Sequence, residues 1–320
     1  MSRKAERQPI CPKCGYDQSG EIATWESHCP LHGTCSECGL QFTWDMVLRP
    51  QLYDITWYTE HARGLRQFLY RTPRTILRMF RPRRFWNQLS VTKRTAIPAL
   101  LLWCCITIII IHTISAIPTG LAYWDRFNYQ SYTLDEYFYA YGYHGYAQIL
   151  VNGFGYPYLW AEPVPYQDFI FSLKMHLGSD QYGMTIYRQV VKPIGFQVGF
   201  MLIWSIVLLA IPHTRRMAKI RRAHIARVAI LSLFFAAFSF EVHRLLLALR
   251  FQNDPIGFLA DMFQPLFSLF AALWQVWFWA TAIVIGWKVR PYWPLILLGT
   301  TAATLGGIVL TMYAFLMAST

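Results

Sequence analysis

The chain has 320 residues, a formal net charge of +12, 55% hydrophobic residues and only 14% charged ones. A water-soluble domain carries about 25% charged residues, so this composition excludes an ordinary soluble globular protein. Long uncharged runs, with charge gathered before residue 95 and in one short loop, place the chain in the membrane class. The expected fold class is mainly α: a five-helix transmembrane bundle behind a small N-terminal cysteine module.

That module occupies residues 1–50. It contains two Cys-x-x-Cys-Gly knuckles, Cys11-Pro-Lys-Cys14-Gly15 and Cys35-Ser-Glu-Cys38-Gly39. Two such turns bring four thiolates together, and thiolates bind Zn²⁺ tetrahedrally. The glycine after each knuckle permits a left-handed backbone turn. Residues 1–10 are polar and lack the apolar core of a signal peptide, so the first ~96 residues are expected to stay on the side of synthesis. Cytosolic thiols remain reduced, which favours metal over disulfide. The spacing therefore predicts a structural Zn²⁺ at Cys11, Cys14, Cys35 and Cys38. His28, Cys29 and His32 lie inside the intervening loop. They either cover the site as part of an insertion, or Cys29 or His32 displaces Cys35.

Residues 51–96 form a basic juxtamembrane segment. From 63 to 94 there are ten Arg or Lys residues and no Asp or Glu. Leu65, Phe68, Leu69, Ile76, Leu77, Phe80, Phe85, Trp86 and Leu89 interleave at helical spacing. Pro73 and Pro82 are expected to divide the segment into short helices, since each removes a backbone hydrogen bond. Such pieces can lie in the headgroup region with arginines on phosphates, and each basic residue near an anionic leaflet contributes roughly 1 kcal/mol. Anionic lipids are the expected partner of residues 63–94. Nucleic acid is the rival partner; it is disfavoured because the arginines abut a membrane span, where charge topology already explains them.

The membrane domain, 97–320, holds five apolar segments of about the length a bilayer demands: 97–117 (closed by Pro118), 194–211, 226–247, 265–287 and 292–317. Lys and Arg gather before the first, between the second and third (Arg215, Arg216, Lys219, Arg221, Arg222, Arg227), and between the fourth and fifth (Lys288, Arg290). The positive-inside rule then puts the N-terminus in the cytoplasm and the C-terminus outside, with a bacterial inner membrane as the expected location. The outer loop, 118–193, is rich in tyrosine. It reads as an aromatic cap on the outer bilayer surface or as a stacked-ring platform for a glycan or small ligand. Gly299, Gly306 and Gly307 in the last segment predict close helix contact, within the bundle or between copies in an oligomer.

Glu241, His243 and Arg244 interrupt the third segment. Ionisable groups within a membrane are costly and usually face a partner or a water-filled path. Glu241 and Arg244 are i and i+3, so they can pair on one helix face. His112 lies about 15 residues into the first segment, as Glu241 does into the third, so both sit about 22 Å in and can meet. Three readings stay open: the third span ends early and these residues snorkel to the outer interface, they form a structural pair, or they line a proton or substrate route.

The motif Cys11-Pro-Lys-Cys14-Gly-Tyr-Asp followed by Cys35-Ser-Glu-Cys38-Gly resembles a zinc ribbon of planctomycete-type bacterial membrane proteins, whose usual pattern is CPxCGYDL then CPECG. Here Gln18 follows Asp17, Ser36 replaces proline, and the stretch with His28 and Cys29 is extra. The five-span order with Arg-Thr-Pro-Arg-Thr (71–75) ahead of the first span also resembles YIP-type membrane proteins. Neither family implies a reaction or catalytic residues. The expectation is a non-enzymatic integral membrane protein whose zinc ribbon is a structural module or binds a protein partner. The alternatives are a small transporter using His112, Glu241, His243 and Arg244, and a membrane enzyme, for which no nucleophile–base or catalytic metal pattern is present.

Overall fold

The structure, a computed structural model, describes residues 8–26, 28–128, 153–154, 192–210, 220–249, 255–289 and 292–319. Most of the aromatic outer loop, and Arg215, Arg216, Lys219 and Arg290 of the basic loops, lie outside the described residues. The N-terminal module comprises α1 (Ser19–Ala23), the hairpin β1 (His32–Thr34) and β2 (Gln41–Thr43), and α2 (Trp44–Leu48). The basic segment forms α3 (Leu65–Met79) and α4 (Pro82–Gln88). The apolar helices are α5 (Ile97–Asn128), α6 (Lys192–Ala210), α7 (Arg222–Leu249), α8 (Pro255–Thr281, continued by a π-helical turn Ala282–Gly286) and α9 (Trp293–Ser319).

Among the described residues, four stretches are long and apolar enough to cross a membrane: Ile97–Leu121, Arg222–Leu246, Leu269–Gly286 and Trp293–Leu316. The segment expected as the second span is present as α6, but its apolar part, Gly195–Leu209, is shorter. Leucines such as Leu102, Leu297, Leu298 and Leu305 point outward, more than half exposed. Apolar surface of that extent is tolerated against hydrocarbon and avoided in water. The first span does not close at Pro118: the helix runs on through it to Asn128. Thr119 donates its hydroxyl to Ser115 O at 2.7 Å, the kind of local side-chain bond that lets an apolar helix accommodate proline.

The described chain divides into two compact units. The first combines Met1–Cys104, Trp204–Leu231 and Val276–Thr300. In it, the hairpin pairs His32 with Thr43, Gly33 with Phe42 and Thr34 with Gln41. Phe42, Trp44 and Val47 pack with Cys11 and Cys35 into a small core. Trp44 lies so close over Gly33 that a Cβ there would meet its ring at 3.0 Å.

The basic segment departs from the expected arrangement in two ways. Pro82 does open a new helix, α4, but Pro73 lies inside α3 and does not break it. Tertiary bonds hold the helix on either side of the proline. Arg71 Nη1 donates to His61 O at 2.9 Å, Trp103 Nε1 to Thr72 Oγ1 at 3.1 Å, and Thr75 Oγ1 to Trp57 O at 3.1 Å. The apolar side chains of α4 are also not available to lipid. Phe85 and Trp86 are buried against Phe278, with ring centroids 6.0 and 5.1 Å away, and Trp86 covers Gly286 of the π turn. Leu65, Leu69 and Leu77 on α3 remain exposed.

The second unit combines Cys105–Ile203, Ser232–Gln275 and Thr301–Thr320. Here α9 meets α6 at its glycines. A Cβ on Gly306 would lie 2.5 Å from Ile203, and one on Gly307 would lie 3.0 Å from Phe196 O. Phe235 of α7 stacks on Trp274 of α8 at 3.6 Å.

Candidate metal centre

The two knuckles fold alike because the same backbone bonds close each turn. Cys11 N–H donates to Tyr16 O at 2.8 Å and Cys35 N–H to Leu40 O at 2.9 Å. Gly15 N–H donates to Cys11 O at 2.9 Å and Gly39 N–H to Cys35 O at 2.8 Å. Gly15 and Gly39 take φ of 82° and 64°, a region that costs other residues roughly 1–2 kcal/mol. Together the turns place the sulfurs of Cys11, Cys14, Cys35 and Cys38 within 4.8 Å of one another. The Cys11–Cys38 and Cys14–Cys35 separations are 3.7 and 3.6 Å. A tetrahedron with Zn–S bonds of about 2.3 Å has edges of about 3.8 Å, so the donor set fits that ion in both chemistry and size.

The thiols are poorly disposed to one another without a cation. Burial raises Cys14 far above the usual thiol range and holds Cys38 at about 11. Cys35, although burial opposes it, is drawn down to about 7 by the backbone N–H groups of Cys38 and Glu37. A divalent cation held by Cys11, Cys14, Cys35 and Cys38 would replace the protons and attract all four sulfurs. Cys29 is exposed, donates to Pro30 O at 3.4 Å and is outside the quartet; His32 is likewise exposed, on β1. Gln18, where the resemblance expects leucine, is buried and donates its amide N–H to Cys35 Sγ at 3.4 Å. A hydrogen bond to a ligating sulfur orients it and tempers its charge.

The first knuckle is docked on the start of α7. His224 Nε2 lies 3.0 Å from Pro12 O, and Arg221 N–H donates to Lys13 O at 3.1 Å. The Arg221 side chain packs on Gly15, where a Cβ would meet it at 3.3 Å. Beside this contact is a buried ion pair that the sequence did not disclose. Glu60 Oε2 lies 2.8 Å from Arg227 Nε, and Glu60 Oε1 accepts from Arg227 Nη2 at 3.0 Å. Ala96 N–H also donates to Glu60, and Arg227 Nη2 to Arg94 O. His61 Nδ1 accepts from Ile55 N–H at 2.9 Å, so Nε2 carries the proton and donates to Arg94 O at 3.0 Å. Burial holds the pKa of this neutral imidazole below its usual value. Arg227, grouped by sequence with the charges of the basic loop, is a core residue.

The intramembrane residues also come together. α7 continues through Glu241 and Arg244 to Leu249, and both side chains are buried. His112 Nδ1 lies 2.8 Å from Glu241 Oε1. Glu241 Oε2 accepts from Ser115 Oγ at 2.6 Å and Arg244 Nε at 3.0 Å. Arg244 Nη1 donates to Gly153 O at 2.8 Å and Nη2 to His112 O at 3.2 Å. His112 Nε2 faces Phe154 O at 3.1 Å. His243 is buried on the same helix, but the bonds just described run through His112, Ser115, Glu241 and Arg244. Ser115 was not singled out from sequence; its only local signal is its position three residues after His112. Comparison with family models, curated proteins and solved structures produced no match, so the chemistry of these sites rests on their own geometry.

Proposed function

We propose that the chain is a non-enzymatic integral membrane protein of five spans, in which a cytosolic zinc ribbon acts as a structural clamp on the base of α7. The docking of the first knuckle carries this reading: two of its carbonyls, Pro12 O and Lys13 O, accept from His224 and Arg221. An arm displayed for a distant partner would leave those carbonyls to water. The alternation of positive charge supports a cytoplasmic N-terminus and an external C-terminus, in a bacterial inner membrane. α6 counts as the second span because its apolar stretch is extended by Ile211 in the sequence.

Hydrogen exchange on the full-length protein in detergent tests the clamp. Amides of residues 221–228 should exchange at least tenfold faster once zinc is removed. His224→Ala should loosen the same amides while one zinc stays bound. Unchanged protection at 221–228 in zinc-free protein would sink the reading.

The cluster of half-buried His112 with buried Glu241 and Arg244 keeps a transporter as the second reading. Its groups are engaged with one another and with backbone carbonyls, which favours a structural pair. Glu241→Gln is therefore expected to destabilise the protein by about 3 kcal/mol without changing ion leak in proteoliposomes. A flux abolished by that substitution would establish the transporter instead.

A further inference from the structure

A pocket of about 490 Å³ opens between the end of α3 and α4, lined by Leu77, Arg78, Arg81, Arg84, Phe85 and Gln88. Three of these residues are exposed arginines. Among the described residues no carboxylate pairs with any of them. Local sequence supplies none either, since 63–94 contains no Asp or Glu. Arg78 is already held in place: its Nη1 donates to Gln88 Oε1 at 2.7 Å, and its guanidinium lies 4.3 Å over the Trp57 ring. Such ordering reduces the entropy an anion would otherwise have to overcome on binding.

We propose that this pocket binds the phosphomonoester headgroup of a membrane lipid, of the phosphatidic acid type. Guanidinium forks match phosphate oxygens in pairs. A phosphomonoester carries about −1.5 to −2 charges at neutral pH, so it gains more from three arginines than a phosphodiester with a single charge. The wall and rim identify the source as lipid. Leu77 in the wall is 68% exposed, an apolar margin that a free phosphate would not use. Chain position agrees, because the apolar helix α5 begins only nine residues after Gln88. The assignment rests on the membrane reading above and adds a selective lipid to it.

The test titrates the full-length protein in detergent with dioctanoyl phosphatidic acid, dioctanoyl phosphatidylglycerol or inorganic phosphate, with bound lipid counted by native mass spectrometry. Phosphatidic acid should bind at least tenfold more tightly than either of the others. Arg81→Gln/Arg84→Gln should remove that preference, whereas Arg66→Gln/Arg83→Gln, with the same charge loss outside the pocket, should leave it within twofold. Arg84→Lys, which keeps the charge and loses the fork, gives an intermediate affinity and guards against a double variant that fails to fold. Equal binding of inorganic phosphate, or equal weakening by both double variants, overturns the proposal. Release of the protein from membranes by alkaline carbonate would overturn the membrane reading itself, an outcome distinct from loss of lipid selectivity.

Discussion

Chelation of zinc from the purified full-length protein is expected to unfold the N-terminal module while the apolar helices stay helical. The module has little else to hold it. Its buried apolar core is Phe42, Trp44 and Val47, with Ile22, Trp25, Leu40 and Met46 only partly covered. Units this small rarely fold without a staple. Structural zinc contributes about 10–16 kcal/mol of apparent binding free energy near neutral pH, and that binding is coupled to folding. Metal analysis should find one zinc per chain. Cys11→Ser, Cys14→Ser, Cys35→Ser and Cys38→Ser should each lose it, whereas Cys29→Ser should retain it. Trp25 and Trp44, in edge-to-face contact at 4.6 Å, provide the optical signal: their near-ultraviolet dichroism should collapse on chelation. A module that keeps that signal without metal would refute the structural role.

Glu60→Gln is expected to destabilise the protein by about 3–5 kcal/mol, because it strands a buried cation. Both side chains of the pair are at most 1% exposed, so water cannot replace the lost carboxylate. Arg227 would keep Arg94 O but lose its countercharge. The paired substitution Glu60→Leu with Arg227→Met should recover much of the loss, since an apolar pair of similar volume leaves no charge buried. Thermal unfolding in detergent reads both effects. If Glu60→Gln unfolds within a degree of the unsubstituted protein, the pair does not hold this region.

The two halves of that pair are 167 residues apart in sequence, which is why no local pattern revealed them. Nothing in the local pattern of Trp57-Tyr58-Thr59-Glu60-His61 marks it as core, yet Tyr58, Thr59, Glu60 and His61 are almost wholly buried. The prolines show the same limit in reverse. Pro73 and Pro118 carry a real local preference against helix interiors, but contacts from Thr72, Thr75 and Arg71, and the local bond of Thr119, outweigh it. At α4 and its C-cap, helical spacing marked Phe85, Trp86 and Leu89 as apolar positions, and all three are buried. Spacing could not say whether lipid or Phe278 and Gly286 would cover them.

The residue order alone was sufficient for the cysteine quartet, four of the five apolar stretches and the glycine faces. Each depends on short-range quantities: the reach of two-residue knuckles, the length of a helix against a bilayer, the missing side chain at Gly306 and Gly307. Packing in three dimensions decided the rest. It seated the knuckle on His224 and Arg221, buried Arg227 on Glu60, closed Glu241 between His112 and Arg244, and left Arg78, Arg81 and Arg84 around an open pocket. The physical reason is that a charge reads the same in sequence whether it meets water, lipid phosphate or a carboxylate. Only the fold determines which of these stands opposite it.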